Sequence, residues 1–439
     1  MGSKIQFKDS ILTTEIPILA DIDNDCIPEI LIIGNDYTSI LCYDTKSTTL
    51  KKKINTFYIN FFTNSFCLAD IDYDGIPEIF VVVDDVNMNP SNVRNKIVCY
   101  SIEGKVIWVS DQVLDINALG DPGGPLAFAD FNKDGISEVY ANNRIFSAQN
   151  GKLLCTGNKN GIGRDPLIYN FTFPIAAELD GDTSDIELAA GYTTYKVKIT
   201  NPNGMIGNSM IPFNIQIKGV YRDGFTSVAD IDQDGKLDVV VVSPIINSES
   251  LVYCYNVKNM APQLLALADF KNQDITFGVP AIGDIHGSKK PSIIFPINNK
   301  LFSYSYDGSN LLKLDWTHNN SDSSGQCNVS LFDFDHDGKQ EIIFRDETTL
   351  SMIDGSGVIP KIISNSSCFS PTWNDFPIVG DIDNSGQAKI CVPCGLSYRS
   401  IFGHLTIFGP PDSLPWAPAR SVWNQYAYNP LQINDDLTV

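Results

Sequence analysis

The sequence predicts an all-β fold, and three observations carry this prediction. An acidic motif recurs eight times along the 439 residues. Runs of β-branched and aromatic residues flank each copy and are separated by Gly-containing turns, which is the pattern of short strands joined by hairpins. No segment shows the 3.6-residue periodicity of an amphipathic helix. Because the chain is longer than the ~250–300 residues of a usual single core, a repeat array or several domains is expected.

The eight copies of the motif divide the chain into similar units. Each unit has a short apolar strand before the acidic loop, a second strand directly after it, a third a few residues later and a fourth beyond a turn. Four antiparallel strands in ~50 residues are typical of a β-propeller blade. We therefore predict an eight-bladed β-propeller over residues 1–410, with a seven-bladed ring and one blade-like extension as the alternative. The motifs begin 48 to 60 residues apart, at Asp21, Asp70, Asp130, Glu178, Asp230, Asp284, Asp333 and Asp381.

The last predicted blade has no obvious fourth strand of its own. Its first three strands are expected near residues 376–380, 389–393 and 404–408, and a Pro-rich segment follows. The N-terminal segment KIQFKD could supply the missing strand, which would remove two exposed sheet edges. Residues 411–439 form a tail rich in aromatic residues, and we expect this tail to pack on the propeller or to lead to a further module.

The acidic loops have the spacing of a calcium site. In the copy LADIDYDGIPEI, candidate ligands stand at positions 1, 3, 5 and 9 of the motif, and Gly stands at position 6. Gly permits a sharp bend with positive φ, position 7 offers its carbonyl oxygen, and position 9 returns from the next strand. This all-oxygen cage suits Ca²⁺. A polar turn without metal is the alternative for any single copy, and the recurrence of near-complete copies between strands favours the metal.

Six copies are predicted to bind calcium, about five to six ions per chain. Three have all four acids and the glycine: Asp70, Asp72, Asp74 and Glu78; Asp230, Asp232, Asp234 and Asp238; Asp333, Asp335, Asp337 and Glu341. A fourth has an amide at position 3: Asp130, Asn132, Asp134 and Glu138. A fifth has Cys26 at the glycine position, where a strained or altered bend is expected: Asp21, Asp23, Asp25 and Glu29. The sixth is one residue longer, with Asp185 as a competing ligand: Glu178, Asp180, Asp182 and Glu187.

The two remaining copies are predicted to be metal-free. The loop from Asp284 carries His286 and loses three of the four carboxylates. In the loop from Asp381, Lys389 stands at position 9. Its ammonium group could neutralise Asp381 and Asp383 in place of an ion.

Composition and charge exclude several classes of partner. The net charge is −21, from 52 acidic and 31 basic residues, which argues against nucleic acid and anionic membranes because both bind basic surfaces. No apolar run approaches the ~20 residues of a transmembrane helix, so membrane insertion is not expected. Ten cysteines are too few for a disulfide scaffold. Cys391 and Cys394 form a lone CxxC pair, which cannot complete four zinc ligands.

The repeated D-x-D-x-D-G-x-x-[DE] motif between strands resembles the FG-GAP repeats, also called VCBS-type repeats, of integrin α-subunit-like β-propellers. The resemblance extends over about residues 16–408. It implies that each loop joins the first two strands of a blade and that calcium stiffens the blades without taking part in catalysis. The family's Phe-Gly-Gly-Ala-Pro signature is poorly kept, with GDPGGPLAFAD as the nearest approach, so integrin-like ligand recognition is not carried over. The tail is similar to segments that follow such propellers in large bacterial surface proteins, where neighbouring modules come next.

The sequence favours a non-enzymatic, extracellular or cell-surface propeller for adhesion or recognition of an unidentified protein or glycan ligand. Weak calcium sites of ~10⁻⁴–10⁻³ M fill at extracellular calcium levels. One alternative is a polysaccharide lyase or hydrolase, because the chain also resembles eight-bladed rhamnogalacturonan lyases with calcium loops. Against catalysis, the chain has four histidines and no G-x-S-x-G or H-E-x-x-H motif. A second alternative is a glycan-binding lectin, although Trp108, Trp316 and Trp373 do not repeat in register.

Overall fold

The computed structural model describes residues 1–59, 66–84, 95–114, 124–164, 171–246, 249–271, 278–373, 377–411, 414–428 and 432–439. Within these residues the chain forms eight antiparallel sheets and no α-helix, and its helical structure is a 3₁₀ turn at Lys258–Met260. The protein is the all-β, eight-bladed β-propeller that the sequence predicts. No helix of the described residues is long and apolar enough to cross a membrane.

The chain divides into two compact units. The first comprises Met1–Thr56, Thr276–Ser305 and Lys313–Asn424, and the second comprises Phe57–Ile275, Tyr306–Leu312 and Gln425–Val439. Blades are numbered here in the order of their acidic loops. Each unit holds four of them, the first unit blades 1, 6, 7 and 8 and the second unit blades 2 to 5.

The strands of the first unit have the following bounds. Blade 1 contains β3 (Ile18–Ala20), β4 (Glu29–Ile33), β5 (Ser39–Asp44) and β6 (Thr49–Asn55). Blade 6 contains β23 (Ala281–Gly283), β24 (Ser292–Ile297), β25 (Lys300–Ser305) and β26 (Lys313–Asn319). Blade 7 contains β27 (Val329–Phe332), β28 (Glu341–Arg345), β29 (Thr349–Asp354) and β30 (Lys361–Ser367). Blade 8 contains β31 (Ile378–Gly380), β32 (Lys389–Gly395), β33 (Phe402–Phe408) and β1 (Lys4–Gln6), and β2 (Ile11–Leu12) also pairs with β33.

The strands of the second unit follow the same plan. Blade 2 contains β7 (Phe66–Ala69), β8 (Glu78–Val83), β9 (Lys96–Tyr100) and β10 (Val106–Val109). Blade 3 contains β11 (Ala127–Ala129), β12 (Glu138–Ala141), β13 (Arg144–Ser147) and β14 (Leu153–Thr156). Blade 4 contains β15 (Ile175–Ala177), β16 (Glu187–Ala190), β17 (Thr193–Lys198) and β18 (Ser209–Asn214). Blade 5 contains β19 (Phe225–Ala229), β20 (Asp238–Ile246), β21 (Glu249–Asn256) and β22 (Gln263–Lys271).

The fourth strand of blade 8 comes from the N-terminus. Strand β1 runs antiparallel to β33, with Lys4 opposite Phe408 and Gln6 opposite Thr406. The first strand of this blade begins at Ile378, and Phe376, where the sequence places its start, lies outside the described residues. The edge of β33 is thereby covered by a strand that is distant in sequence, which removes an unpaired sheet edge.

The second strand of each blade forms the core of its sheet. All residues of β4, β8 and β24 are buried, as expected for near-continuous apolar strands that are covered on both faces. The fourth strands β6, β26 and β30 leave most of their residues exposed or partly exposed. These strands have a neighbour on one side of the sheet only, and most of their residues are polar.

A β-bulge recurs in the fourth strands of six blades. At the same place in each blade, one residue of the fourth strand has no partner in the register with the third strand. Such an extra residue bends the strand and re-aims its side chain. The bulged residues are Lys51, Ile107, Leu154, Leu265, Asp315 and Ile363.

The tail contributes to both units. In the first unit, Trp416 is buried with its ring centroid 4.6 Å from that of Phe334, and the Ala417 amide donates to the Phe334 carbonyl. In the second unit, Tyr426 is buried with its ring centroid 5.5 Å from that of Phe173. The aromatic residues of the tail therefore serve as core residues at these two places.

Candidate metal centres

The acidic loop of blade 2 shows how the motif folds. The Asp70 carboxylate accepts hydrogen bonds from the Asp74 amide (3.2 Å) and the Gly75 amide (2.9 Å). Asp74 accepts the Ile76 amide at 2.8 Å, and Glu78 accepts the Ile71 amide at 3.2 Å through Oε2. Each carboxylate is therefore fixed by backbone N–H groups of its own loop, as in an Asx turn.

The same hydrogen bonds recur in the other predicted calcium loops. In five further loops the carboxylate at the end of the motif accepts the backbone N–H of the residue after the first acid: Glu29 with Ile22, Glu138 with Phe131, Glu187 with Leu179, Asp238 with Ile231 and Glu341 with Phe334. This bond ties the start of the second strand back to the first turn of the loop. The same bond thus fixes the final carboxylate in all six predicted calcium loops.

Two residues adopt positive φ in every acidic loop except that of blade 4, where Gly181 alone does so. At position 6, the glycines of five loops have φ between 77° and 86°: Gly75, Gly135, Gly235, Gly338 and Gly386. Cys26 adopts the same left-handed conformation with φ of 64°, so the first loop keeps the common bend with a non-glycine residue in a strained region. Position 4 is also left-handed, at Asn24, Tyr73, Lys133, Gln233, His336 and Asn384, and the sequence reasoning did not predict this second bend.

Five of the predicted loops bring three acidic side chains together. In each group, carboxylate oxygens lie within 4.8 Å of one another. The groups are Asp21, Asp23 and Glu29; Asp70, Asp72 and Glu78; Glu178, Asp180 and Glu187; Asp230, Asp232 and Asp234; Asp333, Asp335 and Glu341. The remaining predicted acids of these loops lie outside the groups: Asp25, Asp74, Asp182, Asp238 and Asp337. Hard oxygen ligands in such groups have the chemistry that Ca²⁺ requires.

The loop of blade 3 has an amide where the other loops have a carboxylate. The Asn132 amide nitrogen donates to Asp134 (2.9 Å) and to the Ile199 carbonyl (3.2 Å). Its amide oxygen is buried and accepts no hydrogen bond. A carbonyl oxygen in this position has its lone pairs available to a cation, so the donor set fits a calcium ion although it carries one charge fewer.

Burial makes the carboxylates at the end of the motif weak acids in the absence of an ion. Burial, reinforced by neighbouring aspartates, raises the pKa of Glu78, Asp238 and Glu341 to about 7. Burial also raises the pKa of Glu138 to about 8. A divalent cation supplies the missing counter-charge and favours the ionised form of these groups.

In blade 1 a lysine lies within the acidic group. The Nζ atom of Lys51 is 2.6 Å from Glu29 Oε1 and 2.7 Å from Asp23 Oδ2. Burial lowers the pKa of Lys51, but hydrogen bonds to these two carboxylates outweigh it and raise the pKa above its usual range. No sequence pattern distinguishes Lys51 within the run Lys51–Lys53, because the bulge that directs its side chain depends on strand register.

A second lysine lies within the acidic group of blade 4. Lys196 Nζ is 2.7 Å from Asp180, 3.0 Å from Asp185 and 3.4 Å from Asp182. Asp185, predicted as a competing metal ligand, here binds the lysine. Lys196 stands directly opposite Glu187 in the pairing of β16 with β17, and a basic residue at this register position is the sequence signal that could have revealed it.

The two loops predicted to lack metal hold other groups. Lys389 Nζ contacts Asp383 and lies 2.8 Å from the Ser385 hydroxyl. Asp381 accepts hydrogen bonds from the Ser385 and Gly386 amides. Lys389 was predicted to neutralise both aspartates, and in the structure it binds Asp383 and Ser385. In blade 6, His286 lies beside Asp315, with Nε2 at 3.8 Å from the carboxylate.

A disulfide bond joins Cys368 and Cys394. It links the end of β30 to β32 within the first unit. Cys391, the other member of the CxxC pair, is a buried free thiol, so these two residues do not act as a pair. The remaining free cysteines of the chain are buried except Cys26.

Comparison with known proteins agrees with the β-propeller fold. A family model described as an FG-GAP-like repeat matches residues 21–81, which contain the loops of blades 1 and 2. No curated protein matches the chain. The crystal structure of the V. cholerae biofilm matrix protein Bap1 is similar with a TM-score of 0.61 and 15% sequence identity, over 100% of this chain and 95% of that chain.

Two rhamnogalacturonan lyases are also similar in structure. The exotype lyase YesX has a TM-score of 0.58 and 13% identity, over 92% of this chain and 75% of that chain. The Bacillus licheniformis lyase PL11 has a TM-score of 0.58 and 14% identity, over 92% and 72% respectively. At these identities the comparisons establish the fold.

Proposed function

Because the chain is an eight-bladed β-propeller that carries an FG-GAP-like repeat, we propose that it is a calcium-stabilised extracellular module for adhesion or ligand recognition. The observation that carries the proposal is the recurrence of one oxygen cage in blade after blade, with the same backbone hydrogen bonds. Such cages hold like charges close together at the junction of two strands. Calcium relieves this repulsion and ties the first and second strands of a blade to each other.

Two further observations support an extracellular location. The disulfide between Cys368 and Cys394 is of the kind that persists in oxidising compartments. Calcium sites built from short loops fill at extracellular calcium concentrations. The structural similarity to a biofilm matrix protein agrees with a role outside the cell.

An exposed turn of blade 8 supports a role in recognition. Leu396, Tyr398 and Phe402 expose large apolar side chains around Arg399. The Arg399 guanidinium lies over the Tyr398 ring at 5.2 Å and donates to the buried Glu347 carboxylate at 2.7 Å. Tyrosine and arginine residues held in place by neighbours are frequent anchors of protein interfaces, so this turn is a candidate contact for a protein or glycan ligand.

The test measures calcium dependence and ligand binding on the same preparation. Thermal unfolding in about 2 mM CaCl₂ should have a higher midpoint than in excess EGTA. The calcium-loaded protein is then screened against immobilised glycans and surface proteins, with Arg399→Ala as a variant at the exposed turn. An equal midpoint in both buffers, with no bound calcium by mass spectrometry, would reject the calcium part of the proposal.

A polysaccharide lyase is the second candidate, and the similarity to rhamnogalacturonan lyases favours it. A lyase removes a proton next to the uronate carboxylate and expels the glycosidic oxygen, which leaves a double bond in the new end of the chain. Incubation with rhamnogalacturonan and calcium, followed by ultraviolet absorbance of the unsaturated product, tests it. Absence of product with a folded, calcium-loaded protein would favour the recognition module.

A further inference from the structure

We propose that three of the eight acidic loops hold a lysine ammonium group in place of a calcium ion. This inference rests on the proposed calcium-binding function and reduces the number of ions from six to four. The lysine loops are those that begin at Asp21, Glu178 and Asp381 and contain Lys51, Lys196 and Lys389. The calcium loops are those that begin at Asp70, Asp130, Asp230 and Asp333.

In blade 1 the lysine binds carboxylate oxygens that would otherwise be calcium ligands. Lys51 Nζ is bound to Asp23 at 2.7 Å and to Glu29 at 2.6 Å, and it lies 3.9 Å from Asp25. Glu29 is 1% exposed, so its carboxylate has no access to bulk water as an alternative partner. An ion at this point would lie beside a like charge, and its entry would require Lys51 to leave a buried carboxylate.

The bulge of β6 explains why blade 1 has a lysine at this point. The extra residue of the fourth strand is Lys51, whereas the equivalent residue of blades 2, 3, 5 and 7 is apolar: Ile107, Leu154, Leu265 and Ile363. None of these apolar side chains can neutralise the acids of its loop. Blades 5 and 7 do have a lysine nearby, but each pairs with one partly exposed aspartate, Lys258 with Asp234 at 2.9 Å and Lys339 with Asp337 at 2.8 Å, whereas Lys51 binds a buried glutamate. In blade 1 the bulged residue thus provides the loop with a cation of its own.

Blade 4 also has a lysine in its acidic loop, but this lysine belongs to a different strand of the blade. Lys196 comes from the third strand, opposite Glu187, and binds Asp180 and Asp185 at 2.7 and 3.0 Å. In blades 1 and 3 the residues opposite the final carboxylate are Asp44 and Ser147. Neither residue carries a positive charge, so the counter-charge of blade 1 comes from Lys51 of the fourth strand instead.

The assignment divides the calcium loops unequally between the two units. The second unit has three of them, in blades 2, 3 and 5, and the first unit has one, in blade 7. Lysine loops need no ion to neutralise their acids, so calcium removal should loosen the second unit more than the first. Hydrogen exchange in EGTA is expected to increase mainly in the strands that flank the loops from Asp70, Asp130 and Asp230.

The main experiment counts bound calcium on the full chain by native mass spectrometry in about 2 mM calcium acetate. The wild-type protein should bind four ions, one for each calcium loop. Lys51→Met and Lys196→Met should each bind one ion more, and the double variant should bind two more. Lys53→Met is the matched control, because Lys53 lies on the same strand and pairs with Asp36 outside the acidic loop. Its calcium count should equal that of the wild type.

A second readout protects the test against variants that lose stability. Lys51→Met should have a lower midpoint of thermal unfolding than the wild type in EGTA, and calcium should restore it, because the ion then neutralises the acids that the lysine had neutralised. Lys51→Arg keeps the charge, so it should stay near the wild-type midpoint in EGTA and gain no ion. This variant separates loss of the charge from loss of packing.

The outcomes distinguish the two proposals. Six ions on the wild type, or four with no gain in either methionine variant, would overturn the assignment of the lysines and leave calcium binding intact. No ion on the wild type and no ion on any variant would reject the calcium function from which the assignment starts. Four ions on the wild type and five on each single variant would support both.

Discussion

The loops of blades 1 and 2 have the same acids and the same internal hydrogen bonds, and they differ in what the fourth strand places beside them. Glu29 and Glu78 each accept the backbone N–H of the residue after the first aspartate, at 3.2 Å in both loops. In blade 1 the bulge of the fourth strand presents Lys51, and in blade 2 it presents Ile107. The acidic motif alone therefore does not determine whether a loop needs calcium.

Whether an acidic motif binds a metal ion therefore has to be judged together with the residues that neighbour it in the sheet. Three carboxylates within 4.8 Å of one another are stabilised by a counter-charge from an ion or from a side chain. Lys51 supplies one unit of charge with three hydrogen-bond donors, and calcium supplies two units and accepts more ligands. Under our proposal, the two kinds of counter-charge occur in loops that share the same backbone hydrogen bond to the final carboxylate.

Removal of calcium by a chelator should produce the largest change in the free energy of unfolding. For a site with a dissociation constant of ~10⁻⁴–10⁻³ M, about 2 mM calcium contributes ~0.6–1.8 kcal/mol. Four such sites give ~3–7 kcal/mol, and the six sites expected from the motif alone would give proportionally more. Denaturant unfolding in calcium and in EGTA measures the difference. An unchanged free energy of unfolding would show that the acids of blade 2 do not need the ion either.

The pH dependence of the calcium-free protein should be the next largest effect. Burial raises the pKa of Glu78 to about 7, so its protonated form is favoured in the folded state. This contribution to stability is complete below the unfolded pKa of ~4.5 and is lost as the pH rises through about 7. The free energy of unfolding in EGTA should therefore fall between pH 5 and pH 8, by roughly 1 kcal/mol for each such carboxylate after solvent screening, and the unfolding midpoint should fall with it.

The calcium-loaded protein provides the control for the pH prediction. Calcium holds the calcium-loop carboxylates ionised, so its midpoint should vary less over the same pH range, and calcium should bind more tightly at pH 8 than at pH 5. For Glu29, burial raises the pKa and the Lys51 hydrogen bond opposes that rise. A midpoint in EGTA that is constant or rises between pH 5 and pH 8 would contradict the burial of these acids without a counter-ion.

Substitution of the final carboxylate should change the stability of the protein differently for the two loops when calcium and EGTA are compared. Glu78→Gln removes a calcium ligand, so we expect it to cost ~1–2 kcal/mol in calcium and one bound ion, and to be neutral or slightly stabilising in EGTA, where it removes a repelled buried charge. Glu29→Gln removes a partner of Lys51. It should cost a similar amount in both buffers and leave the calcium count unchanged. Equal responses of the two variants to calcium would contradict the comparison.

The smallest expected effect concerns the bend of each loop. Cys26 and Gly75 occupy the same position, with φ of 64° and 86°. Cys26→Gly should stabilise the protein by ~0.5–1 kcal/mol, and Gly75→Ala should destabilise it by ~1 kcal/mol, because side chains other than glycine are strained in this region. Thermal unfolding of both variants tests the prediction, and a loss of stability in Cys26→Gly would show that the thiol has a role beyond the bend.

The repeated motif allowed the fold to be predicted from the sequence. The similarity of the repeats did not indicate which loops contain a lysine. Eight motifs at similar spacing gave the eight blades, and the glycines at position 6 gave the left-handed bends that the structure contains. Asn132, predicted to ligate through its amide oxygen, has that oxygen without a hydrogen-bond partner. Of the three lysines that contact acidic loops, the sequence analysis predicted only Lys389, which stands within the motif. Lys51 and Lys196 stand outside the motif and were not predicted.

The all-β class, the number of blades and the positions of the acidic loops follow from the sequence, because these features depend on residues close together in the chain. The tertiary structure decided three further features: the lysines within the loops of blades 1 and 4, the disulfide between Cys368 and Cys394, and the pairing of β1 with β33. Each depends on strand register or on the approach of distant segments. A one-residue bulge is enough to direct Lys51 into an acidic loop, and no local pattern in the run of three lysines specifies which of them the bulge will select.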